Sequence, residues 1–246
     1  FMVNGISRRI VDFVGVLHAV LFWPEDLEII TDSPSIRRRY LDTVLVQIDR
    51  EYRRNIFSYE RGIRQRNKLL DLVNEGKASR SQLLFWNQLV IRTGGYLTDL
   101  RTAFIDFINE TTFANHRFGV TYDKSVISES RLEQYKEEEI QARATLVGPH
   151  RDDFHVTQDD RDLSTFGSRG EQRIAVLWLK LAETDYIERV TGSRPMLLLD
   201  DIFSELDEAH RELVAGESTR QQTVVTSADV ASVPESIRKI ATLIEV

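Results

Sequence analysis

Asp200 and Asp201 close the apolar run Met196-Leu197-Leu198-Leu199, and Ser204-Glu205-Leu206-Asp207 follows within a few residues. A short apolar strand ending in carboxylates puts hard oxygen ligands where nucleotide-binding sheets meet Mg²⁺. Asp200 is the candidate to hold that ion, directly or through water. Asp201 is the candidate to orient or deprotonate an attacking water. Upstream, Ser168-Arg169-Gly170-Glu171-Gln172 heads a helix-like stretch. Such a turn suits a γ-phosphate, because unsatisfied backbone N–H groups and the helix dipole converge there. Ser168 would supply a hydroxyl, Gly170 close backbone approach, and Glu171 a charge that favours the helix N-terminus. Taken singly, each has a plainer reading: a strand end that caps a helix, or a capping box. Their order along one chain is what points to ATP and Mg²⁺. The sequence contains no G-x-x-x-x-G-K-[ST], the loop that would cradle the phosphates of its own nucleotide.

Ser227, in Thr226-Ser227-Ala228-Asp229, suits either a γ-phosphate contact or a helix cap. Gly148-Pro149-His150-Arg151-Asp152-Asp153 packs turn formers, a cation and two acids into six residues; a tight turn with an Arg–Asp pair and a functional surface both fit. The five histidines form no cluster with metal-ligand spacing, and no nucleophile stands with a convincing base, so a hydrolase triad finds no support. With no cysteine, disulfides and thiolate metal sites are excluded. No apolar run approaches the roughly 20 residues of a membrane helix. No signal peptide is visible, and the cytoplasm is the expected location.

The net charge of −7 is unevenly spread. Between Ile36 and Lys68 the ten cations Arg37, Arg38, Arg39, Arg50, Arg53, Arg54, Arg61, Arg64, Arg66 and Lys68 meet four acids, so this segment carries +6 and the remainder −13. An acidic body with one basic element is not a neutral-surface pattern. At about 100° per residue, Leu45, Ile48, Tyr52, Ile56, Tyr59, Ile63 and Leu70 fall within roughly ±40° of one line. Arg50, Arg53, Arg54, Arg61, Arg64 and Lys68 fall on the opposite side. The spacing predicts one helix from Ile36 to about Val73, on the order of 55 Å long. Asn74-Glu75-Gly76-Lys77 is the expected turn and Ser79 the next cap. A second helix follows from about Arg80 to Asn109, with Gly94-Gly95 as a possible kink. Two long helices joined by one turn fit an antiparallel arm or a plain helical subdomain. The basic stripe fits a DNA backbone, and equally the charged outer face that long helices normally carry.

Residues 1–30 read as strand and turn. The start, Phe1-Met2-Val3-Asn4-Gly5-Ile6-Ser7-Arg8-Arg9, has the pattern of a hairpin entered midway, so an N-terminal truncation is expected. After Thr112, strands expected at 118–122, 154–156, 196–200, 224–226 and 243–246 alternate with helices. One is an acidic helix over 128–141; another follows Glu171, with Ile174, Leu177, Trp178 and Leu181 on its core face; a third begins near Asp207. This alternation predicts an α/β body.

In this order the motifs are similar to the signature, Walker B and D-loop of ABC-type ATPases, and the chain resembles the RecF family of SMC/ABC-type ATPases. The likeness rests on Phe22-Trp23-Pro24-Glu25-Asp26-Leu27-Glu28-Ile29-Ile30 with Ser33-Pro34-Ser35-Ile36-Arg37-Arg38-Arg39-Tyr40-Leu41-Asp42, on Val147 to Asp153, and on Leu198 to Asp207 with its paired aspartates. Ser227 stands where ABC-type ATPases usually have a switch histidine, in keeping with the family. Asp32 departs from the glycine the family usually carries before Ser33-Pro34. The resemblance implies an ABC/SMC-like ATPase head lobe (1–34 and 113–246, without its P-loop part) and an inserted α-helical arm lobe (35–112). It implies an ATP-dependent homodimer on double-stranded DNA near single-strand gap junctions, slow hydrolysis, and work with RecR and RecO to load the recombinase RecA. In that arrangement Ser168, Arg169, Gly170 and Glu171 act in trans. Asp200 and Asp201 serve the same subunit's nucleotide, and Ser204 and Asp207 form the D-loop. Little or no ATP turnover is expected from these residues alone. The alternatives are a non-catalytic DNA- or partner-binding module, and a fragment of an ABC transporter ATPase, against which the basic helical arm and Ser227 argue.

Overall fold

In the computed structural model, which describes residues 2–3, 5–7, 13–113 and 116–245, two short N-terminal strands pair with each other. Strand β1 (Met2–Val3) runs antiparallel to β2 (Ile6–Ser7), and Gly5 in the turn has φ +77°, a conformation open to glycine. Phe1, Asn4, Arg8, Arg9 and Val246 lie outside the described residues. Strand β3 (Ala19–Phe22) follows. Residues 24–30, expected as strand and turn, are helical instead, in a 3-10 turn (Pro24–Leu27) and the short helix α1 (Glu28–Thr31). Pro24 sits at the first helical position, where a missing N–H costs nothing, and the Asp26 carboxylate accepts from the Trp23 N–H at 3.1 Å.

The helix expected to run unbroken from Ile36 to Val73 is two helices, α2 (Pro34–Ile48) and α3 (Arg50–Asn74). Asp49 between them is extended, at φ −125° and ψ 114°, and its carboxylate caps α3 by accepting from the Tyr52 N–H. Arg53 folds back so that its guanidinium donates to the Val46 carbonyl at 3.1 and 2.9 Å, satisfying an end of α2. The apolar period crosses the break without a slip, Leu45 and Tyr52 both being buried, so periodicity hides it. Ser79 caps a 3-10 turn (Arg80–Gln82), and α4 (Leu83–Glu110) stays helical through Gly94 and Gly95. Gly94 serves close contact: a Cβ there would lie 2.8 Å from the Ile127 side chain and 2.9 Å from that of Tyr59.

Strand β4 (Phe118–Asp123), helices α5 (Glu129–Gln134) and α6 (Lys136–Ala142), strands β5 (Asp153–Gln158) and β6 (Arg161–Asp162), and helices α7 (Leu163–Phe166) and α8 (Arg169–Thr191) come next. Strand β7 (Met196–Asp200), helix α9 (Glu208–Ser218), strand β8 (Thr223–Thr226) and helix α10 (Glu235–Arg238) complete the order. The acidic helix expected over 128–141 is interrupted at Tyr135. Residues 243–245, expected as strand, form none: Leu243 and Ile244 are exposed, and no described strand pairs with them.

The chain packs as two compact units, one of residues 1–33, 108–119 and 156–246, the other of 34–107 and 120–155. In the first, β3, β7 and β8 make a parallel sheet in the order β3-β7-β8, with Leu21 opposite Leu198 and Leu198 opposite Val224. Val20, Phe22, Leu197 and Leu199 form its buried face, and α8 packs against β3. Burial on α8 is not confined to the face of Ile174, Leu177, Trp178 and Leu181. From Ala175 to Thr184 every residue but Leu181 is buried, Lys180 and Glu183 included. In the second unit α3 and α4 meet closely at Gly62, where a Cβ would come within 2.9 Å of Val90. Tyr52, Tyr59, Leu70, Val90, Leu97 and Phe104 are buried there. Among the described residues no helix is long and apolar enough to cross a membrane.

Candidate functional site

At the carboxyl end of β7, Asp200 is exposed and its Oδ1 accepts from the Thr226 hydroxyl at 2.5 Å, tying the ends of β7 and β8 together. The Asp201 N–H extends the ladder one step, donating to the Thr226 carbonyl at 3.1 Å. Asp201 then turns the chain at φ +50°, a left-handed conformation that aspartate tolerates better than most residues. The Ser204 hydroxyl donates to the Asp201 carbonyl at 2.7 Å and lies 3.2 Å from Asp201 Oδ2, holding the turn, while Ile202 and Phe203 anchor it from beneath. Open parallel sheets take ligands outside the carboxyl ends of their strands. Trp23, Asp201 and Ser227 are the residues that leave β3, β7 and β8 at that edge.

The donor set at this edge is oxygen alone, and no group of three or more His, Cys, Asp or Glu side chains forms a metal site among the described residues. Two carboxylates suit Mg²⁺, which keeps waters and takes substrate phosphates at its other positions. Asp200, exposed at the strand end with Asp201 beside it, therefore fits as the residue that would hold the ion, whose chemistry there would be to neutralise phosphate charge.

Helix α8 opens on a full capping box. The Ser168 hydroxyl accepts from the Glu171 N–H at 3.3 Å and donates to Glu171 Oε2 at 2.7 Å, and the Ser168 N–H donates to the same oxygen at 2.7 Å. These bonds hold the Glu171 carboxyl below its usual range. Ser168, Arg169 and Gly170 are exposed, and a Cβ on Gly170 would meet nothing within 4 Å, so nothing inside this chain calls for glycine there. One turn on, Arg173 forms an ion pair with Glu205. Arg169, Arg173, Ile202, Glu205 and Leu206 share a groove of about 250 Å³ with Trp23, so the helix start and the segment after Asp201 form one surface. Ser168 bonds within its own turn and not to Asp200 or Asp201. Asp207 caps α9, accepting from the His210 N–H at 3.0 Å and meeting His210 Nδ1 at 2.7 Å, contacts that lower its pKa. The Ser227 hydroxyl donates to the Asp229 carbonyl at 2.9 Å, inside its own turn.

No protein-family model matches the chain. The DNA replication and repair protein RecF of Herpetosiphon aurantiacus is 39% identical over 93% of this chain and 64% of its own length. That of Halalkalibacterium halodurans is 37% identical over 99% of this chain and 72% of its own. The chain belongs to the RecF family. It spans about two thirds of the length of its RecF relatives. Among solved structures, the recombination mediator protein RecF-ATPrS of the RecFOR pathway is similar with a TM-score of 0.85 at 28% identity, over 94% of this chain and 68% of that one. RecF-ATP gives a TM-score of 0.82 at the same identity.

The second unit of this RecF-family chain carries the basic stripe. Arg50, Arg54, Arg61, Arg64 and Lys68 are exposed on α3, with Arg54 meeting Glu51 at 3.3 Å and Arg64 meeting Glu60 at 3.8 Å in solvent. Arg53 departs from the stripe because its guanidinium is committed to Val46. Arg66 is buried, donating to Glu139 at 2.6 Å and to Asn87 and Thr145 at 2.8 Å.

Gly148 to Asp153 builds this unit from within. Asp152, fully buried, accepts from Arg101 Nη1 at 3.0 Å, from the Tyr122 hydroxyl at 2.5 Å and from the Ser125 N–H at 2.8 Å. Asp153 pairs with Arg37 at 2.6 Å, so the acids of the motif are matched by Arg101 and Arg37 rather than by Arg151. Sequence reasoning also misses a buried cluster in the first unit. Lys180 Nζ lies 3.1 Å from Glu183 Oε2 and 3.6 Å from Asp26 Oδ1, and the Trp23 indole donates to Asp26 at 3.1 Å. The signal was available: Lys180 sits three residues after Leu177, and Arg101 sits between Leu97 and Phe104, charges on core-period positions.

Proposed function

We propose that these residues form the signature, Walker B and D-loop surfaces of a RecF-type ATP-dependent DNA-binding protein of recombinational repair and replication restart. One observation carries the reading. Arg169 and Arg173, in the first turns of the helix that Ser168 opens, share a groove with Ile202, Glu205 and Leu206 in the same unit that presents Asp200 and Asp201 at the carboxyl end of a parallel sheet.

Ser168 and Gly170 act in trans. An exposed helix N-terminus, with a glycine no internal contact requires, favours a phosphate brought by a second copy, and with it an ATP-dependent homodimer. Asp200 holds Mg²⁺, and Asp201 orients the attacking water or takes its proton. Ser204 and Asp207 connect that edge to the groove, and Ser227 closes the edge beside Thr226. Arg50, Arg54, Arg61, Arg64 and Lys68 hold the phosphates of double-stranded DNA near single-strand gap junctions, with affinity that falls steeply in salt. RecR and RecO are the partners through which RecA is loaded, in the cytoplasm.

The test uses a protein carrying these residues together with a phosphate-binding loop of the form G-x-x-x-x-G-K-[ST]. ATP should drive its dimerisation on duplex DNA. Asp201→Asn should keep that response while slowing turnover by about 100-fold or more. Ser168→Arg should keep ATP binding and lose ATP-driven dimerisation. DNA association indifferent to nucleotide in all three proteins would overturn the reading and leave a DNA- or partner-binding module.

A further inference from the structure

We infer that Phe57 is a base-contacting residue, placed within the basic line of α3 to take one unstacked base of a strand whose phosphates the flanking arginines hold. This rests on the proposed DNA reading of that line. Positions 50, 54, 57, 61, 64 and 68 advance by alternating steps of four and three, so at about 100° per residue all six lie within roughly ±40° of one line. Arg50, Arg54, Arg61, Arg64 and Lys68 are cations along about 27 Å of helix. The sixth residue, Phe57, is 58% exposed, whereas Tyr52 and Tyr59 on the same helix are 0% and 3% exposed.

Arg54 lies one turn before Phe57 and Arg61 one turn after it, and Glu60, the acid beside it, leans to Arg64 at 3.8 Å. The ring thus stands among guanidinium groups rather than in an apolar patch. Of the other exposed apolar residues described in this unit, Leu72 lies about four turns further along α3, and Leu84, Phe85 and Val126 lie outside that helix, Phe85 packing edge-on against Trp86 at 5.0 Å. A protein partner would find little apolar surface around Phe57. A nucleic acid strand would find both things it offers: cations for its backbone and a flat ring for a base. Continuous duplex hides its base faces, so the ring has work only where a strand is gapped or frayed. Stacking one base on an aromatic side chain changes affinity about 5- to 150-fold on alanine substitution.

The experiment compares binding of one continuous duplex and the same duplex carrying a single-stranded gap, at matched salt, using a protein that holds the whole chain. Phe57→Ala should weaken gapped DNA about 5- to 150-fold and leave duplex affinity and its salt slope unchanged. Phe57→Trp should retain gapped binding. A 2-aminopurine at the gap edge should be quenched by the parent protein and not by Phe57→Ala. Because Phe57 is exposed, alanine there leaves the core intact. The double charge reversal Arg61→Glu, Arg64→Glu should weaken both DNAs. If that reversal weakens binding while Phe57→Ala changes neither DNA, or both equally, the role of Phe57 is overturned and the DNA line stands. If the reversal changes neither DNA, the DNA line falls, and Phe57 with it.

Discussion

The Tyr59 hydroxyl lies 2.7 Å from His150 Nδ1, and His150 Nε2 lies 3.0 Å from the Thr145 carbonyl. A carbonyl only accepts, so Nε2 carries the proton and Nδ1 accepts from Tyr59, which builds the imidazole into the fold in its neutral form. Burial, with Arg151 and Arg38 nearby, pushes the His150 pKa down to about 4. An unfolded histidine titrates near 6.5, so the unfolded chain takes up a proton first as pH falls. The stability this group contributes is full above about pH 6.5 and is lost as pH drops toward 4. Urea unfolding should show that loss. His150→Gln, whose amide can still accept from Tyr59 and donate to Thr145, should flatten the curve over the same window; an unchanged slope would remove His150 as its source.

Lys180 is one cation between two buried carboxylates. Burial raises the pKa values of Asp26 and Glu183, and Lys180 offsets this only in part. Burial alone would lower the Lys180 pKa, but the carboxylates of Glu183 and Asp26 outweigh it and raise it. Lys180→Met would strip both acids of their partner and should cost about 3–5 kcal/mol at neutral pH in equilibrium unfolding. An acid whose folded pKa is raised contributes stability below its unfolded pKa and loses it as pH climbs through the folded value. The deficit of Lys180→Met should therefore shrink as pH is lowered toward 4 and the acids protonate. A deficit independent of pH would show that packing, not charge, is what the lysine supplies.

Gly94 and Gly95 are adjacent in α4 and should respond to alanine with opposite signs. A Cβ on Gly94 would stand 2.8 Å from Ile127, 2.9 Å from Tyr59 and 3.2 Å from Pro149, whereas one on Gly95 would meet nothing within 4 Å. Gly94→Ala should destabilise by about 1–3 kcal/mol through overpacking. Gly95→Ala should stabilise by up to about 1 kcal/mol, the helix propensity difference. Thermal unfolding of the two variants decides it, and equal effects would mean that the helix bends at this point instead of packing there.

Why the pair reads as a kink in sequence and as a contact in space is a general matter. Glycine marks a backbone that needs room, and sequence does not say whether a turn or a neighbouring side chain takes that room. The strands of the first unit are legible because Met196–Leu199 and Val224–Val225 are apolar runs bounded by polar residues. The break at Asp49 is not, because the apolar period continues across it. Arg61 and Arg66 look alike in composition, yet at about 100° per residue they lie on opposite sides of α3, and one is exposed where the other is buried against Glu139. The placement of Asp200 and Asp201 at the end of β7 is legible as local pattern. Asp26 with Lys180, and Arg101 with Asp152, depend on segments far apart in sequence, which spacing along one element does not report.

Asp201 combines a backbone demand with a proposed chemical one, and the two can be separated. Its φ of +50° is a conformation that asparagine tolerates as aspartate does, and the Ser204 hydroxyl bonds to the Asp201 carbonyl, which any substitution keeps. Asp201→Asn should therefore leave unfolding within about 0.5 kcal/mol of the parent. Asp201→Val, a β-branched residue forced to positive φ, should lose about 1–3 kcal/mol. Asp201→Gly meets the backbone demand without any carboxylate and should be as stable as the parent. If, in a protein that also carries the phosphate-binding loop and turns over ATP, Asn and Gly both keep the fold and both lose turnover, the loss belongs to the carboxylate's chemistry. Should Asp201→Asn unfold as readily as Asp201→Val, the carboxylate is holding the turn beside Ser204, and a fall in turnover would no longer identify it as the group acting on water.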